Sequence, residues 1–129
     1  MILALASENY AIPITRLMEI TVPRDIRKDP NLTELFEGKI EFRGKPIPVL
    51  DTKKVLRISG KPGATLLVVK GAKGLLGLLV DAVIEILDTE QKPAPMPTGV
   101  INPSLRHYNG ILRYKKNLVL LLNEDGLLP

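Results

Sequence analysis

The sequence predicts a mainly β protein in which two similar small barrels pack together. Residues 10–20 resemble residues 76–86, and residues 38–56 resemble residues 110–128, in the same order along the chain. Order, spacing and polar positions all recur, which favours an internal duplication over a chance likeness between apolar strands. Each half also offers several short apolar runs between Gly, Pro, Asn and Asp turns, a pattern typical of small closed barrels.

The repeat divides the 129 residues into a first barrel at residues 1–64 and a second barrel at residues 65–129. Pro62 and Gly63 mark the crossing between them. The boundary is approximate, and the prediction allows the terminal strands to cross over between the barrels. A chain of this length buries roughly two-thirds of its unfolded surface, so it can hold a sizeable core.

The first half begins with an apolar strand at residues 2–6. The stretch GKIEFRGKPIPVLD then predicts a β-hairpin, because apolar and polar residues alternate on both sides of a glycine turn. Its strands are expected at residues 39–43 and 46–50, around a turn at Gly44 and Lys45. The sequence therefore predicts a tight hairpin in the middle of the first barrel.

Two prolines stand two residues apart in the second strand of this hairpin. Pro46 and Pro48 both remove backbone donors from the same side of the strand, which indicates an edge strand closed to further pairing. Their repeat equivalents, Leu118 and Leu120, retain their N–H groups and can pair. Arg43 is expected on the outward face beside the turn, where an arginine makes a good interface anchor.

The remaining elements follow from capping and turn residues. Asp51 is expected to cap a short helix that begins at Thr52. The run GAKG predicts a hairpin turn between strands at residues 66–70 and 75–80. Residues 93–97, PAPMP, favour an extended connection over the surface. A ligand for an SH3-type groove is the alternative interpretation of this proline run.

Little in the sequence points to catalysis. The chain has no cysteine and one histidine, His107, which stands in a polar loop and is expected at the surface. No zinc-type ligand set and no phosphate-binding glycine motif is present. Asp51 and Asp81 each follow a strand, where capping of backbone N–H groups explains them more simply than acid–base chemistry. We therefore expect no enzyme activity, no metal and no cofactor.

The charge distribution indicates a solvated surface. The net charge is +4, from 18 basic and 14 acidic residues, with no charged block. Charged residues interrupt the apolar stretch at 66–87, so no membrane span is expected, and the N-terminal run lacks the basic residues of a signal peptide. We expect a soluble, cytosolic protein. Local basic clusters keep open an alternative, a small basic barrel that binds nucleic acid; they are Lys53, Lys54, Arg57, Arg113, Lys115 and Lys116.

Four segments in order resemble the motifs of the CheW-like domain family. GKIEFRGKPIPVLD resembles its G-x-x-N-L-R-G-x-x-x-P-V-x-D segment, and YAIPITRLMEI resembles Y-x-I-x-I-x-x-V-x-E-I. GLLVDAVIEIL with TEQKPAP resembles G-x-V-V-D-x-V-x-x-V-L and P-A-P, and NGILRYKKNLVLLLN resembles the closing hairpin. The likeness runs from about residue 2 to residue 128 and implies a single CheW-like domain over residues 1–129.

This resemblance implies two five-stranded SH3-like barrels and an adaptor rather than an enzyme. Its expected partners are the cytoplasmic tip of methyl-accepting chemoreceptors and the regulatory domain of the histidine kinase CheA, which shares the family fold. Its expected location is the cytoplasm, at membrane-associated receptor arrays, without insertion into the membrane. A coupling protein of a pilus or gliding motility pathway of the same design is the alternative.

The resemblance also implies binding residues by position. Leu17, Glu19, Gly38, Arg43 and Val83 match family positions that bear on receptor or kinase binding. Leu17 and Val83 are partners in the internal repeat, so they are expected to line the groove between the barrels from opposite sides.

The chain departs from the family motif at two positions beside the predicted arginine anchor, and one of them is Phe42, which replaces the family leucine. Glu41 replaces the family asparagine. Its carboxylate can either pair with Arg43 or repel an acidic partner.

Overall fold

The computed structural model describes residues 1–87, 92–95 and 106–127. Within these ranges the chain forms ten strands, a short α-helix and a 3₁₀ turn, which confirms the predicted mainly β class. The elements are β1 (Ile2–Leu5), β2 (Glu8–Ala11), β3 (Leu17–Thr21), β4 (Phe36–Phe42), β5 (Lys45–Asp51), α1 (Thr52–Val55), β6 (Thr65–Gly71), β7 (Gly74–Val80), β8 (Ala82–Glu85), β9 (Tyr108–Tyr114), β10 (Asn117–Leu122) and the 3₁₀ turn Asp125–Leu127.

The strands form two five-stranded sheets that each draw on both halves of the chain. The terminal sheet has the order β8-β1-β2-β10-β9, and the central sheet has the order β3-β6-β7-β5-β4. A boundary at residue 64 therefore does not separate the sheets. The physical reason is parallel pairing over a long sequence distance, since β2 joins β10 and β7 joins β5. Each half donates its first two strands to the sheet of the other half.

The internal repeat is visible in the register of these parallel pairs. Val49 lies opposite Gly77 in the central sheet, and Leu121 lies opposite Ala11 in the terminal sheet. Val49 and Leu121 are repeat partners, and so are Gly77 and Ala11. The two sheets therefore share one strand arrangement, built by a reciprocal exchange of strands.

Three clusters of buried apolar side chains hold the fold together. One fills the central sheet, one fills the terminal sheet, and the largest lies between the two sheets. The terminal sheet curls, because the Tyr114 hydroxyl on β9 donates a 2.7 Å hydrogen bond to Glu85 on β8, at the opposite end of the strand order. The between-sheet cluster contains Met1, Leu3, Leu5, Tyr10, Ile12, Leu50, Val55, Leu67, Val69, Leu76, Leu78, Val80, Leu122 and Leu127.

The β4–β5 hairpin forms as predicted, but its turn and its place in the sheet differ. The turn residues are Arg43 and Gly44, at φ 51° and 81°, as a two-residue type I′ turn requires. Arg43 therefore lies in the turn and not on the face of a strand. The edge-strand prediction for Pro46 and Pro48 is wrong, because β4 is the edge and β5 lies between β4 and β7. Both prolines precede Val49, where the pairing with β7 begins.

Capping explains the residues around α1 as predicted. The Asp51 carboxylate accepts hydrogen bonds from the backbone N–H groups of Lys53 and Lys54, at 3.1 and 3.4 Å. The predicted hairpin of β6 and β7 also forms, with its turn at Ala72 and Lys73. The structure confirms these local elements, and they could be predicted because their signals lie within a few residues of sequence.

Asp81 ties the two sheets together at the junction between β7 and β8. Its carboxylate pairs with the Lys53 ammonium at 2.6 Å and accepts a hydrogen bond from the Ala6 N–H at 2.6 Å. The Lys53 side chain is only 8% exposed and also donates to the Lys61 carbonyl at 2.9 Å. We call Lys53, Asp81 and Ala6 the buried clamp, after the buried Lys53 side chain, since they join α1, the sheet junction and the end of β1.

His107 is buried, and its predicted surface position is wrong. It stands directly before β9, where its carbonyl accepts the Asn123 N–H at 2.8 Å and its ring meets the Tyr108 ring edge-on at 6.2 Å. Burial lowers the pKa of His107, and the nearby charges of Arg106 and Arg57 act in the same direction.

The predicted surface connection of residues 93–97 lies partly outside the described residues. Pro93, Ala94 and Pro95 are described and exposed, in keeping with the expected surface position. Ala94 also forms a β-bridge with Ile111, so this segment covers the outer edge of β9.

Candidate binding surfaces

Two edge strands carry three of the predicted binding residues. Leu17 and Glu19 lie on β3, at the edge of the central sheet, and Val83 lies on β8, at the edge of the terminal sheet. Leu17 and Val83 are half-buried and pack against the cluster between the sheets. The two side chains therefore stand at the rim of the same core, one from each sheet.

A β-bulge at the same place in both strands turns apolar side chains outward. The register slips between Leu17 and Glu19 on β3 and at the repeat-equivalent place on β8. Bulges re-aim side chains and increase local twist. The outward apolar side chains are Met18, Ile20 and Val22 on and after β3, and Ile84 and Ile86 on and after β8, with 40–59% exposure. We call these two sets the β3 surface and the β8 surface.

The side chains of these two surfaces are candidate binding residues that sequence reasoning missed. Met18 and Ile84 are repeat partners, and so are Ile20 and Ile86. The signal was present, because neighbouring apolar residues on an alternating strand require one of them to face outward. Exposed apolar residues grouped along an unpaired edge indicate a protein interaction site.

The opposite edges of both sheets are covered. Arg27 and Lys39 exchange two backbone hydrogen bonds of 2.8 Å along β4. Ala94 and Ile111 do the same along β9, at 2.9 and 2.8 Å. This contrast leaves β3 and β8 as the edges that present apolar side chains to a partner.

Glu19 differs from its repeat partner in having no intramolecular restraint. Glu85 accepts the hydrogen bond from Tyr114, which raises the pKa of the tyrosine hydroxyl. Phe42 occupies the repeat position of Tyr114 and has no hydroxyl to donate. Within the described ranges Glu19 makes no hydrogen bond or ion pair, and its side chain is exposed. Its carboxylate is therefore available to a donor on a partner.

Gly38 acts through the backbone. It is buried on β4 at φ +148°, and a side chain there would press into the carbonyl group of Arg27. On β9, Gly110 has a φ of +151° and stands in the same relation to Ala94. Glycine at both positions allows the covering segment to approach the edge strand. Gly38 therefore shapes the central sheet and presents no side chain to a partner.

Arg43 projects from the β4–β5 turn. Its guanidinium lies 4.9 Å from the centroid of the Phe42 ring, a cation–π contact that holds the side chain over the hairpin. Lys115 lies over Tyr114 in the equivalent turn, at 5.4 Å. Glu41 forms no ion pair with Arg43 or with any other described residue. The turn thus presents an exposed arginine whose charge is not neutralised by Glu41.

The structure brings the predicted residues together only in part. Leu17 and Glu19 share β3, whereas Gly38 and Arg43 belong to the hairpin at the other end of the strand order of the same sheet. Val83 faces the shared core from the other sheet.

Two lysines of the predicted basic clusters are held in ion pairs within the protein. Lys53 is held in the buried clamp, and Lys54 lies 3.6 Å from Glu37 in an ion pair. No group of three or more metal-ligating side chains occurs in the described part of the chain. No helix among the described residues is long and apolar enough to cross a membrane.

Comparison with known proteins places these features in one family. The model of the CheW-like domain matches residues 1–129. The chemotaxis protein CheW of Klebsiella aerogenes is 21% identical over 132 residues, covering 99% of this chain and 80% of that protein. The crystal structure of the scaffolding protein TtCheW from Thermoanaerobacter tengcongensis shares 29% identity and a TM-score of 0.86, covering 98% of this chain and 88% of that one. This likeness confirms the predicted pair of SH3-like barrels.

Proposed function

This chain belongs to the CheW-like domain family of chemotaxis scaffold proteins, and on that premise we propose that it couples chemoreceptors to the histidine kinase CheA. Its work is binding and not catalysis. It holds the receptor tip and the kinase regulatory domain on one body, at receptor arrays on the cytoplasmic side of the membrane. A pilus or gliding motility pathway of the same design would use the same surfaces with other partners.

The observation that carries this proposal is the pair of equivalent apolar edges. The β3 and β8 surfaces flank the core between the sheets, and each lies on a different sheet. The buried clamp fixes one sheet against the other through Lys53 and Asp81. A rigid body with interaction surfaces on two sheets suits a protein that must hold two partners at once.

We assign the receptor tip to the region between the sheets. Leu17 and Val83 pack against the shared core, one from each sheet, and Met18 and Ile84 extend the apolar surface outward. An apolar surface of this kind suits an amphipathic helix, whose apolar residues recur on one face. Glu19 supplies an unpaired carboxylate beside these side chains for a basic residue of the helix.

We assign the kinase regulatory domain to the β4–β5 turn. Arg43 is exposed and pre-positioned by its contact with Phe42. An arginine held in one orientation loses less conformational freedom on binding, which makes it an effective anchor. The bridge between Arg27 and Lys39 keeps the supporting hairpin in place.

Calorimetric titration of matched variants tests these assignments. Arg43→Ala should weaken binding of the CheA regulatory domain about tenfold, while Lys115→Ala at the equivalent turn should leave it unchanged. Ile20→Ser should weaken binding of a receptor-tip fragment, while Leu118→Ser, another exposed apolar position, should not.

Thermal unfolding of the same variants is the control. If Arg43→Ala lowers the thermal midpoint sharply, Arg43 is structural and its assignment fails. Absence of binding heat with both partners would remove the coupling proposal.

A further inference from the structure

A groove separates β5 from β7 in the central sheet, before these parallel strands begin to pair. Its volume is about 490 Å³. The pairing of the two strands begins at Val49 and Gly77, and the residues before this pair line the groove. These lining residues are Lys45, Pro46, Ile47 and Pro48 on β5, and Lys73, Gly74, Leu75 and Leu76 on or beside β7. We call this feature the β5–β7 groove.

The prolines explain why the groove exists. In the terminal sheet the equivalent parallel pair begins one residue earlier, at Leu120 and Tyr10. Pro48 is the repeat partner of Leu120, and Leu76 is the repeat partner of Tyr10. Proline has no N–H group to donate to a neighbouring strand. Pro48 therefore delays the pairing of β5 with β7 by one residue relative to the terminal sheet, and Pro46 likewise offers no donor in the groove.

The groove has apolar walls and a cation on each rim. Pro46, Pro48 and Leu75 are at least partly exposed along its length. Lys45 and Lys73 are both exposed, and neither ammonium has a hydrogen bond or ion pair to a residue in the described ranges. The lining contains no aromatic ring on which a nucleic acid base could stack. These features favour a peptide over a nucleic acid.

The space above Gly74 is open to a second backbone. No heavy atom lies within 4 Å of the position that a side chain on Gly74 would occupy. Such glycines allow close approach of another chain. An extended ligand can therefore cross the groove over the start of β7, from the Lys73 rim to the Lys45 rim.

We propose that the β5–β7 groove binds an extended acidic peptide segment of a partner protein. Apolar side chains of the segment would contact Pro46, Pro48 and Leu75, and acidic side chains at its two ends would pair with Lys45 and Lys73. The groove lies apart from the β3 and β8 surfaces and borders the β4–β5 turn assigned to the kinase, yet this inference rests on the groove's own lining, and its peptide test needs neither partner.

Two capped peptides, ELVLE and KLVLK, test this inference against the full-length ¹⁵N-labelled protein. ELVLE should shift the amide signals of Ile47, Leu75 and Leu76 and bind about tenfold more tightly than KLVLK, the ratio expected from two surface ion pairs. The variant Lys45→Glu/Lys73→Glu should reverse this preference. The matched variant Lys115→Glu/Lys116→Glu, at the equivalent turn of the terminal sheet, should retain it.

Three results would overturn the inference. They are no amide shifts up to millimolar peptide, shifts confined to the β3 or β8 surface, and equal binding of the two peptides. A preference for a short single-stranded oligonucleotide at the same amides would also contradict it. If the glutamate variant fails to fold, Lys45→Gln/Lys73→Gln replaces it and should abolish the preference.

Discussion

Gly38 shows how a residue near a binding surface can act through the backbone alone. The family resemblance implies a role in partner binding, yet the structure places Gly38 under the Arg27 carbonyl at φ +148°. A side chain there would separate the covering segment from β4 and strain the backbone. Its effect on binding would then be indirect, through the position of the β4–β5 hairpin and of Arg43.

Gly38→Ala should therefore destabilise the fold by about 2–4 kcal/mol, the range of strongly disruptive single substitutions. Gly44→Ala is the matched control, because nothing lies within 4 Å of that position and only the φ of +81° is unfavourable, at about 1 kcal/mol. Urea unfolding measures both changes. Wild-type stability of Gly38→Ala together with lost partner binding would contradict the backbone role.

The pKa of His107 should lie below the ordinary value for histidine. Burial, followed by the charges of Arg106 and Arg57, lowers its pKa in the folded chain. In the unfolded chain His107 has a pKa of about 6.5, so as the pH falls the unfolded state binds a proton at this histidine before the folded state does. The contribution of His107 to the free energy of unfolding is therefore lost as the pH falls below about 6.5. NMR titration of the single histidine measures the midpoint directly, and a midpoint at or above 6.5 would contradict the burial described.

At the scale of elements, local sequence signals predicted the strands and the short helix, but they did not predict which strands pair with each other. The α1 cap at Asp51 could be predicted, and the β4–β5 turn to within one residue, because their signals lie within a few residues of sequence. The position of β5 could not, since alternation identifies a strand without naming its neighbours. Pro46 and Pro48 indicated an edge because pairing is indeed missing beside them, although the strand joins β7 further along.

The buried clamp makes α1 important for the relation between the sheets. Lys53→Met should destabilise the protein by about 2–3 kcal/mol, below the full cost of breaking a buried pair because Asp81 is 29% exposed and keeps the Ala6 hydrogen bond. Lys54→Met is the control on the same helix. Its ion pair with Glu37 is partly exposed, so a change within about 0.5 kcal/mol is expected. Equal effects in denaturant unfolding would show that burial of the Lys53 pair does not matter.

At the scale of the whole molecule, the reciprocal exchange of strands makes the two halves interdependent. Neither residues 1–64 nor residues 65–129 contain all the strands of one sheet. The repeat could be predicted from sequence, but the exchange could not, because equivalent segments can pair within a half or between halves with the same pattern. The boundary at residue 64 therefore marks the repeat and not a pair of separate folding units.

Each half alone should accordingly remain unfolded. The fragment of residues 1–64 lacks β6 and β7, and the fragment of residues 65–129 lacks β1 and β2. Mixing the two fragments should restore the amide spectrum of the intact chain, because all ten strands are then present. A dispersed spectrum from either fragment alone would contradict this dependence.

The candidate binding surfaces could be predicted from the sequence only in part. The repeat and the family resemblance together identified Leu17 and Val83, which the structure places at the rim of one core. The outward positions of Met18 and Ile84 depend on the bulges, and the unpaired state of Glu19 depends on a hydroxyl that Phe42 lacks. Both properties depend on contacts between strands distant in sequence. The apolar pattern shows that one of two neighbouring residues must face outward, and these contacts decide which one does.

The central claim is that one rigid body holds two partners, and a sequential calorimetric titration tests it most directly. The CheA regulatory domain is titrated first into the free protein and then into the protein saturated with a receptor-tip fragment. We predict micromolar or tighter binding in both titrations, since the two partners are assigned to different surfaces of the protein. No binding to the free protein, or loss of kinase binding once the receptor tip is bound, would contradict the claim.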